Sequence, residues 1–343
     1  MNAVIKPVSA ALLGASFDMQ AERARAAFAN SKLSIIVPLY NEEGNVRPLL
    51  EATMPVMERL GLPFEVVLVN DGSQDQTKAI LTEAANNDNR LKVIHLRQNA
   101  GQTAAMMAGF DHSTGDVVIP MDGDLQNDPV DIPALLGKLS EGYDVVSGWR
   151  KDRKDKMIVR KVPSWVANRM ISWFSGVPLH DYGCTLKAYR RDVLEGVRLY
   201  GELHRFIPIF ARWQGGRITE LAVNHHPRRS GVTKYGLNRI IKVILDLMLV
   251  RFLTKYHAKP IYVFGYTAFV FFAVAFFAAI YALYLKVFEA TSFIQTPLPL
   301  LVVLGFMTGM MCILLGLIAE VVVRTYFESQ SRTHYIVGST INC

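Results

Sequence analysis

Short apolar runs alternate with longer helical patterns through the first part of the chain. The runs are Leu33–Val37, Phe64–Val69, Leu91–Leu96 and Asp116–Met121, and all four are rich in β-branched residues. Strands that alternate with helices in this way build a parallel sheet with helices packed on both faces. We therefore predict an α/β fold whose core is a doubly wound, mostly parallel sheet.

Polar residues follow the predicted strand ends. Asn41, Asp71, Asn99 and Asp122 each follow the end of such a run within four residues. Open α/β sheets bind ligands beyond the carboxyl ends of their strands, so we expect these four side chains to share one edge. The sequence contains neither Gly-x-Gly-x-x-Gly nor Gly-x-x-x-x-Gly-Lys-Ser/Thr, and it therefore lacks the phosphate loops of dinucleotide-binding and ATP-hydrolysing proteins. A bound nucleotide would need another partner for its diphosphate.

Two carboxylates with one residue between them, Asp122 and Asp124, follow the fourth run. Residues i and i+2 of an extended chain point to the same side, so both can reach one divalent cation. Oxygen ligands suit Mg²⁺ or Mn²⁺, and Mg²⁺ usually completes its shell with water and substrate phosphate. A solvated turn is the alternative for an isolated Asp-Gly-Asp.

The chain of 343 residues carries a net charge of +7. A basic balance suits nucleic acid, anionic lipid or phosphorylated substrates equally well. The basic residues cluster beside apolar segments rather than with base-stacking aromatic residues, so no nucleic-acid partner is expected. The three cysteines have no metal-type spacing and predict neither a disulfide framework nor a zinc site.

Two long apolar stretches lie near the C-terminus and account for the mean hydropathy of +0.20. The first, Pro260–Leu285, has 26 residues and no charged side chain. It is long enough to cross a bilayer, which takes about 20 apolar residues. The second spans 298–320. These lengths predict two transmembrane helices in an inner-membrane protein. Because Lys and Arg flank the outer ends of the pair, both chain termini and the 321–343 tail are expected on the cytoplasmic side.

Two further segments, 157–176 and 236–257, mix apolar residues with Arg and Lys. Such composition suits amphipathic helices that lie in a membrane interface, although for 157–176 packing on a protein core would explain it as well. Residues 1–31 show only a weak apolar pattern, and we expect a flexible extension there. The domain that carries the acidic pair would then occupy 32–235.

Six motifs in order resemble the family 2 glycosyltransferases that act on polyprenyl phosphates. This group includes dolichol-phosphate mannose synthase, undecaprenyl-phosphate glucosyltransferases and the enzymes that transfer aminoarabinose for lipid A. The resemblance covers about residues 33–335 and implies a GT-A-like nucleotide-sugar domain. The motifs are Val37–Glu42, Val69–Ser73, Asn99–Gln102, Met121–Pro129, Asp181–Cys184 and the pair of apolar spans.

The resemblance also implies roles for individual side chains. The positions that match donor-binding residues are Pro38, Tyr40, Glu42, Asp71 and Gly101, together with a basic loop containing Arg229 and Lys234. The metal and the diphosphate match Asp122, Asp124 and Gln126. Arg150 matches a residue that meets the lipid phosphate, and Asp181 falls where related enzymes place an acidic group near the acceptor. We expect Asp122, Asp124, Arg150 and Asp181 to form the catalytic centre.

The implied reaction is inverting transfer of a sugar from a nucleotide diphosphate sugar to undecaprenyl phosphate, with Mg²⁺ or Mn²⁺. UDP-glucose is the first expectation for the donor, with UDP-N-acetylhexosamine, UDP-aminoarabinose and GDP-mannose as alternatives. A processive polysaccharide synthase is disfavoured because the sequence has no Gln-x-x-Arg-Trp motif. A non-catalytic membrane assembly partner is disfavoured by the intact acidic pair. The resemblance also suggests a homotetramer.

Overall fold

The computed structural model consists of two units, residues 1–247 with 333–343 and residues 248–332. The residues that it describes are 14–151, 169, 171–172, 175–195, 197, 203–227, 261–328 and 335–343. The predicted helix 236–257 therefore lies outside the described residues, as does most of 157–176.

An eight-stranded sheet forms the centre of the first unit. Its strands are β1 (Leu33–Leu39), β2 (Phe64–Asn70), β3 (Leu91–Leu96), β4 (Val117–Pro120), β5 (Val145–Trp149), β6 (Lys187–Arg190), β7 (Ile218–Ala222) and β8 (Val337–Ile341). The spatial order is β7-β5-β6-β4-β1-β2-β3-β8. β6 runs antiparallel to β4 and β5, and β8 runs antiparallel to β3. The other pairings are parallel, which confirms the predicted mostly parallel sheet.

Helices connect and cover these strands. They are α1 (Ala15–Phe28), α2 (Val46–Leu60), α3 (Thr77–Asn87), α4 (Gln102–His112), α5 (Ile132–Leu139) and α6 (Ile207–Trp213). Burial on both faces explains the continuous apolar runs of the central strands, since Ile35, Ile36 and Val37 of β1 are fully buried. Gly61 ends α2 in the left-handed conformation, with a φ of 71°, and its amide caps the last carbonyls.

The N-terminal segment differs from the prediction of a flexible extension over 1–31. Residues 15–28 form α1, which packs against α5. One face of α1 is buried at helical spacing, and it consists of Phe17, Ala21, Ala24 and Phe28. The two alanines give little hydropathy to the sequence pattern, but their small side chains allow close packing against a neighbouring helix. The prediction is therefore corrected for 15–28.

The C-terminal segment also adopts more structure than a tail. β8 adds to the free edge of β3. The Tyr335 hydroxyl donates to Asp111 Oδ2 at 2.7 Å, and Asn342 Nδ2 donates to the carbonyl oxygens of Ala85 and Leu91 at 2.8 and 3.0 Å. Residues 337–341 are thus part of the central sheet of the first unit.

The second unit contains two long helices, α7 (Ile261–Phe288) and α8 (Leu298–Glu328). Residues 264–288 and 298–319 are long and apolar enough to cross a membrane by length and composition. Many large apolar side chains on both helices are exposed, including Tyr266 and Phe269, as expected of surfaces that face lipid. Gly305 and Gly309 of α8 lie against Ala275 and Phe272 of α7, so small residues allow the helices to pack closely.

Candidate active site

The end of β2 is bound to the loop that follows β3. Asp71 Oδ1 accepts a hydrogen bond from the Ala100 amide at 2.7 Å, and Asp71 Oδ2 accepts one from the Gly101 amide at 3.0 Å. Burial raises the pKa of Asp71, whereas these two amides lower it. The structure thus brings together two of the residues predicted to bind the donor.

Gly72 makes this contact between the two loops possible. Its φ is 66°, in the left-handed region that glycine adopts without steric cost. A Cβ atom at this position would lie 2.5 Å from the Asn99 amide nitrogen, which is backbone and cannot rotate away. The glycine of the Val69–Ser73 motif is therefore required by a close approach of two backbone segments.

The end of β1 lies beside the end of β2, since the Asp71 amide donates to the Leu39 carbonyl at 2.9 Å. β4 pairs with β1 only as far as Ile36, so Pro38 lies beyond the last pair on that side, where its missing N–H costs no ladder hydrogen bond. Tyr40 and Glu42 follow β1 and are half-buried. The residues predicted to bind the sugar donor at the ends of β1 and β2 thus share one edge of the sheet.

Asp122 follows β4 and is held by two side chains. Gln102 Nε2 donates to its Oδ1 at 2.8 Å, and Thr185 Oγ1 donates to its Oδ2 at 2.7 Å. Burial and then the negative charge of Asp124 raise the pKa of Asp122. Asp124 is itself buried, and its Oδ1 accepts a hydrogen bond from the Gln126 amide at 3.1 Å. Two carboxylates therefore lie close together in a largely dehydrated position.

The carboxylate oxygens of Asp122 and Asp124 suit a divalent cation. Like charges held together raise the cost of ionisation, and a bound cation would remove that cost. Leu125, between Asp124 and Gln126, has a φ of 61°, which is uncommon for a residue with a branched side chain and marks a tightly constrained turn. Among the residues that the structure describes, no group of three or more His, Cys, Asp or Glu side chains could hold a metal. The protein would thus supply the two carboxylates and leave further positions to water and phosphate.

Arg150 and Asp181 form a buried ion pair. Arg150 directly follows β5, and its Nε and Nη2 donate to Asp181 Oδ2 and Oδ1 at 2.7 and 2.9 Å. The two side chains are 12% and 5% exposed. Burial alone would lower the pKa of Arg150, but the Asp181 carboxylate raises it well above its ordinary value. The predicted acceptor-phosphate residue and the predicted acidic residue are therefore direct partners.

Polar contacts join the segment after β7 to the residues between β4 and α5. Asn224 donates to Asp131 through its backbone amide at 2.7 Å and its side chain at 2.8 Å. Burial is the main cause that raises the pKa of Asp131 to about 6. His226 Nε2 lies 2.8 Å from Asp128 Oδ2. This segment leads into the predicted basic loop, whose residues Arg229 and Lys234 lie outside the described residues.

Sequence reasoning did not assign a role to Gln102 or Thr185. Gln102 is the last residue of the Asn99–Gln102 motif, and Thr185 comes directly after the Asp181–Cys184 motif. Their shared partner is Asp122, which is 20 residues from one and 63 from the other. No periodicity in the sequence could indicate contacts over such separations.

The sequence matches a described protein family. The family described as Glycosyl transferase family 2 matches residues 34–198. A dodecaprenyl-phosphate galacturonate synthase of Rhizobium johnstonii is 41% identical over 313 residues, which cover 89% of this chain and 92% of the relative. An undecaprenyl-phosphate 4-deoxy-4-formamido-L-arabinose transferase of Proteus mirabilis is 35% identical over 313 residues, 91% of this chain and 94% of that protein.

Solved structures share this fold over about two thirds of the chain. Glucosyl-3-phosphoglycerate synthase of Mycobacterium tuberculosis, in complex with Mn²⁺, UDP and phosphoglyceric acid, superimposes with a TM-score of 0.53. It is 21% identical, and the match covers 67% of this chain and 82% of that one. The same enzyme with Mg²⁺ and UDP gives a TM-score of 0.52 at 21% identity, over 67% of this chain and 83% of that one. The GT-A-like fold is confirmed, and the extent and identity of the matches to the relatives show that this chain is a glycosyltransferase that belongs to glycosyl transferase family 2.

Proposed function

We propose that this protein transfers a sugar from a nucleotide diphosphate sugar to a polyprenyl phosphate. The observation that carries the proposal is the Asp122–Asp124 pair at the sheet edge, in which Asp124 is buried and Asp122 accepts hydrogen bonds from Gln102 and Thr185. The galacturonate synthase and the formamido-arabinose transferase are both named for a polyprenyl-phosphate product or acceptor, and each matches about nine-tenths of this chain.

In the proposed reaction an oxygen of the polyprenyl phosphate attacks C1 of the sugar. The bond from C1 to the nucleoside diphosphate breaks, and its electron pair leaves with the diphosphate oxygen. Attack from the opposite face inverts the anomeric centre. A divalent cation, Mg²⁺ or Mn²⁺, held by Asp122 and Asp124 with Gln126 as a further candidate ligand, would supply positive charge to the departing diphosphate.

The Arg150–Asp181 pair suits the acceptor. The polyprenyl phosphate is anionic at neutral pH, so little deprotonation is needed before it attacks. Asp181 accepts hydrogen bonds from Nε and Nη2, which form one edge of the Arg150 guanidinium, and this fixes the orientation of the cation. We infer that Arg150 attracts the acceptor phosphate and that Asp181 positions Arg150.

For the donor we propose a nucleotide-linked hexuronate, with galacturonate first. The relative with 41% identity is named for galacturonate, and the relatives near 35% identity are named for a formamido-arabinose. A UDP-aminoarabinose-type donor is therefore the second candidate. UDP-glucose, the first expectation from the sequence, has no counterpart in these names and stays a prediction, as do UDP-N-acetylhexosamine and GDP-mannose.

We further propose an inner-membrane protein anchored by α7 and α8. The length and apolarity of both helices support association with a lipid bilayer. The proposed topology places the catalytic domain and both termini in the cytoplasm, because Lys and Arg flank the outer ends of the pair. A homotetramer remains a prediction from resemblance.

The test uses the full chain in detergent with undecaprenyl phosphate, MnCl₂ or MgCl₂ and a panel of UDP- and GDP-sugars. Mass spectrometry of the lipid fraction should show a monosaccharide joined to undecaprenyl phosphate, and EDTA should abolish it. Product of equal yield in EDTA would contradict the metal assignment. Failure of every donor to give a lipid-linked sugar would overturn the proposed function.

A further inference from the structure

A small cavity opens beside the acidic pair in the first unit. Its lining includes three side chains that can carry positive charge, Lys187, His204 and Arg205, together with Met106, Gly183 and Thr185. No acidic side chain is among the described residues that line it. The cavity is therefore suited to an anionic group rather than to a neutral or cationic one.

Hydrogen bonds connect this cavity to Asp122 from two sides. Thr185 lines the cavity and donates to Asp122 Oδ2 at 2.7 Å. On the other side, His204 Nδ1 shares a hydrogen bond of 2.7 Å with Thr103 Oγ1, and Thr103 follows Gln102, which donates to Asp122 Oδ1. A sugar attached to a diphosphate at Asp122 would thus lie next to the cavity.

Lys187 is the most deeply buried of the three basic residues, with 3% of its surface exposed. Its ammonium donates to the backbone carbonyls of Tyr182 and Cys184 and makes no ion pair with a carboxylate among the described residues. An ammonium has three donors, so one remains after these two contacts. Burial lowers the pKa of Lys187, and the charges of Asp181 and Asp122 offset this only in part, so an anionic ligand in this cavity would stabilise the ammonium.

We propose that the cavity formed by Lys187, His204 and Arg205 binds the C6 carboxylate of a hexuronate donor. This inference rests on the proposed function and assigns the residues that select the sugar. A carboxylate accepts charge-assisted hydrogen bonds from an ammonium and a guanidinium, whereas the hydroxymethyl group of a neutral hexose carries no charge and forms only weaker hydrogen bonds with them. The three residues would thus select for charge at C6.

The test compares UDP-galacturonate with UDP-galactose, which differ only in carboxylate against hydroxymethyl at C6. Both are assayed with the full chain, undecaprenyl phosphate and Mn²⁺. Arg205→Gln should raise KM for UDP-galacturonate by about 10- to 100-fold, the range for a lost hydrogen bond to a charged group, and leave UDP-galactose largely unchanged. Arg205→Lys should recover part of the preference. Arg212→Gln, an exposed position on α6, is the matched control.

The outcomes separate this inference from the proposed function. Equal use of the two donors by the unmodified protein overturns the carboxylate subsite and leaves the transferase function intact, whatever the variants do. A higher KM for undecaprenyl phosphate with an unchanged donor ratio in Arg205→Gln would assign the cavity to the acceptor phosphate and also overturn it. If Arg205→Gln does not fold, His204→Asn provides the same comparison. Absence of transfer from every sugar nucleotide would overturn both proposals.

Discussion

Arg150 and Asp181 neutralise each other through two hydrogen bonds, of 2.7 and 2.9 Å, that join the two guanidinium donors to the two carboxylate oxygens. The pair joins the residue after β5 to the segment before β6, and the Gly183 amide adds a third contact to Asp181 at 3.0 Å. Because both carboxylate oxygens face the guanidinium, Asp181 cannot serve as a free base while this geometry holds. In the proposed site, Asp181 would therefore hold the Arg150 guanidinium in place.

Removal of one partner should therefore cost more than removal of both. Asp181→Leu leaves a buried guanidinium without its counter-charge, and we expect a loss of about 3 to 5 kcal/mol in stability. The double variant Arg150→Met, Asp181→Leu should recover much of that loss, because no uncompensated charge remains. Thermal unfolding in detergent measures both variants, with Glu51→Gln at an exposed position of α2 as the control.

The recovery of stability in the double variant should not restore its activity. The double variant, although more stable than Asp181→Leu, lacks the cation and should show a higher KM for undecaprenyl phosphate than the unmodified protein. If the double variant transferred sugar normally, Arg150 would have no part in binding the acceptor.

Metal binding can be measured apart from turnover. We expect Asp124→Asn to weaken Mn²⁺ binding in the presence of UDP, because it removes one of the two carboxylates proposed to bind the metal after β4. Electron paramagnetic resonance of free Mn²⁺ gives the bound fraction directly. Asp111→Asn is an acidic control in the same unit, and Mn²⁺ affinity equal to that of the unmodified protein in Asp124→Asn would contradict the site.

The amino ends of the strands carry a separate network that should govern acid stability. Glu65 is almost fully buried and accepts hydrogen bonds or ion pairs from Lys32, Ser34, Lys92 and Thr114. Burial alone would raise its pKa, but Lys32 and the other donors lower it from 4.5 to about 2. An ionised Glu65 thus stabilises the fold above pH 4.5, and this stabilisation is lost as the pH falls towards 2.

We therefore expect Glu65→Gln to lower stability at pH 7 by about 3 kcal/mol, given 1.36 kcal/mol per unit of pKa. The difference between the variant and the unmodified protein should narrow as the pH is lowered from 5 to 3. Circular dichroism melting curves across that range measure it. A difference that stayed constant with pH would show that the charge of Glu65 does not contribute.

A glycine pair tests the contact between the loops after β2 and β3. Gly72 and Gly61 both have positive φ, 66° and 71°, but only at Gly72 would a Cβ atom meet backbone at 2.5 Å. We expect Gly72→Ala to lose about 1 to 3 kcal/mol from overpacking beyond the conformational strain of a positive φ. Gly61→Ala is the control for that strain, because a Cβ atom there would lie no closer than 3.6 Å to its nearest neighbour, a side-chain atom of Arg25. Equal melting temperatures in the two variants would contradict the close approach.

Much of the sheet was predictable because its strands are buried on both faces. The runs Leu33–Val37, Phe64–Val69 and Leu91–Leu96 are continuous and apolar, and glycine or proline separates them from helical patterns. They correspond to β1, β2 and β3 within one or two residues. The acidic pair was also predictable, since it follows such a run directly.

The antiparallel strands were not predictable from local pattern. β6 has four residues that include Lys187 and Arg190, and β8 contains Gly338 and ends near residue 341, far along the chain from its partner β3. Each pairs with a strand distant in sequence, so its register depends on tertiary contacts. The Arg150–Asp181 pair has the same origin, because it forms only when β6 inserts between β4 and β5.

The two apolar helices offer a last test that is independent of catalysis. Gly309 of α8 faces α7 so closely that a Cβ atom would lie 2.7 Å from the ring of Phe272, and that ring also packs against Phe306 with centroids 5.5 Å apart. Gly309→Ala must displace the ring and should cost about 1 to 3 kcal/mol. A Cβ atom at Gly265 of α7 would meet no atom within 4 Å. Because alanine has the higher helix propensity, Gly265→Ala should leave the stability of the protein unchanged or raise it by up to about 1 kcal/mol. Thermal unfolding in detergent should therefore shift in opposite directions for the two variants, or only for Gly309→Ala. A shift of equal size and sign in both would show that the helices do not pack through this glycine.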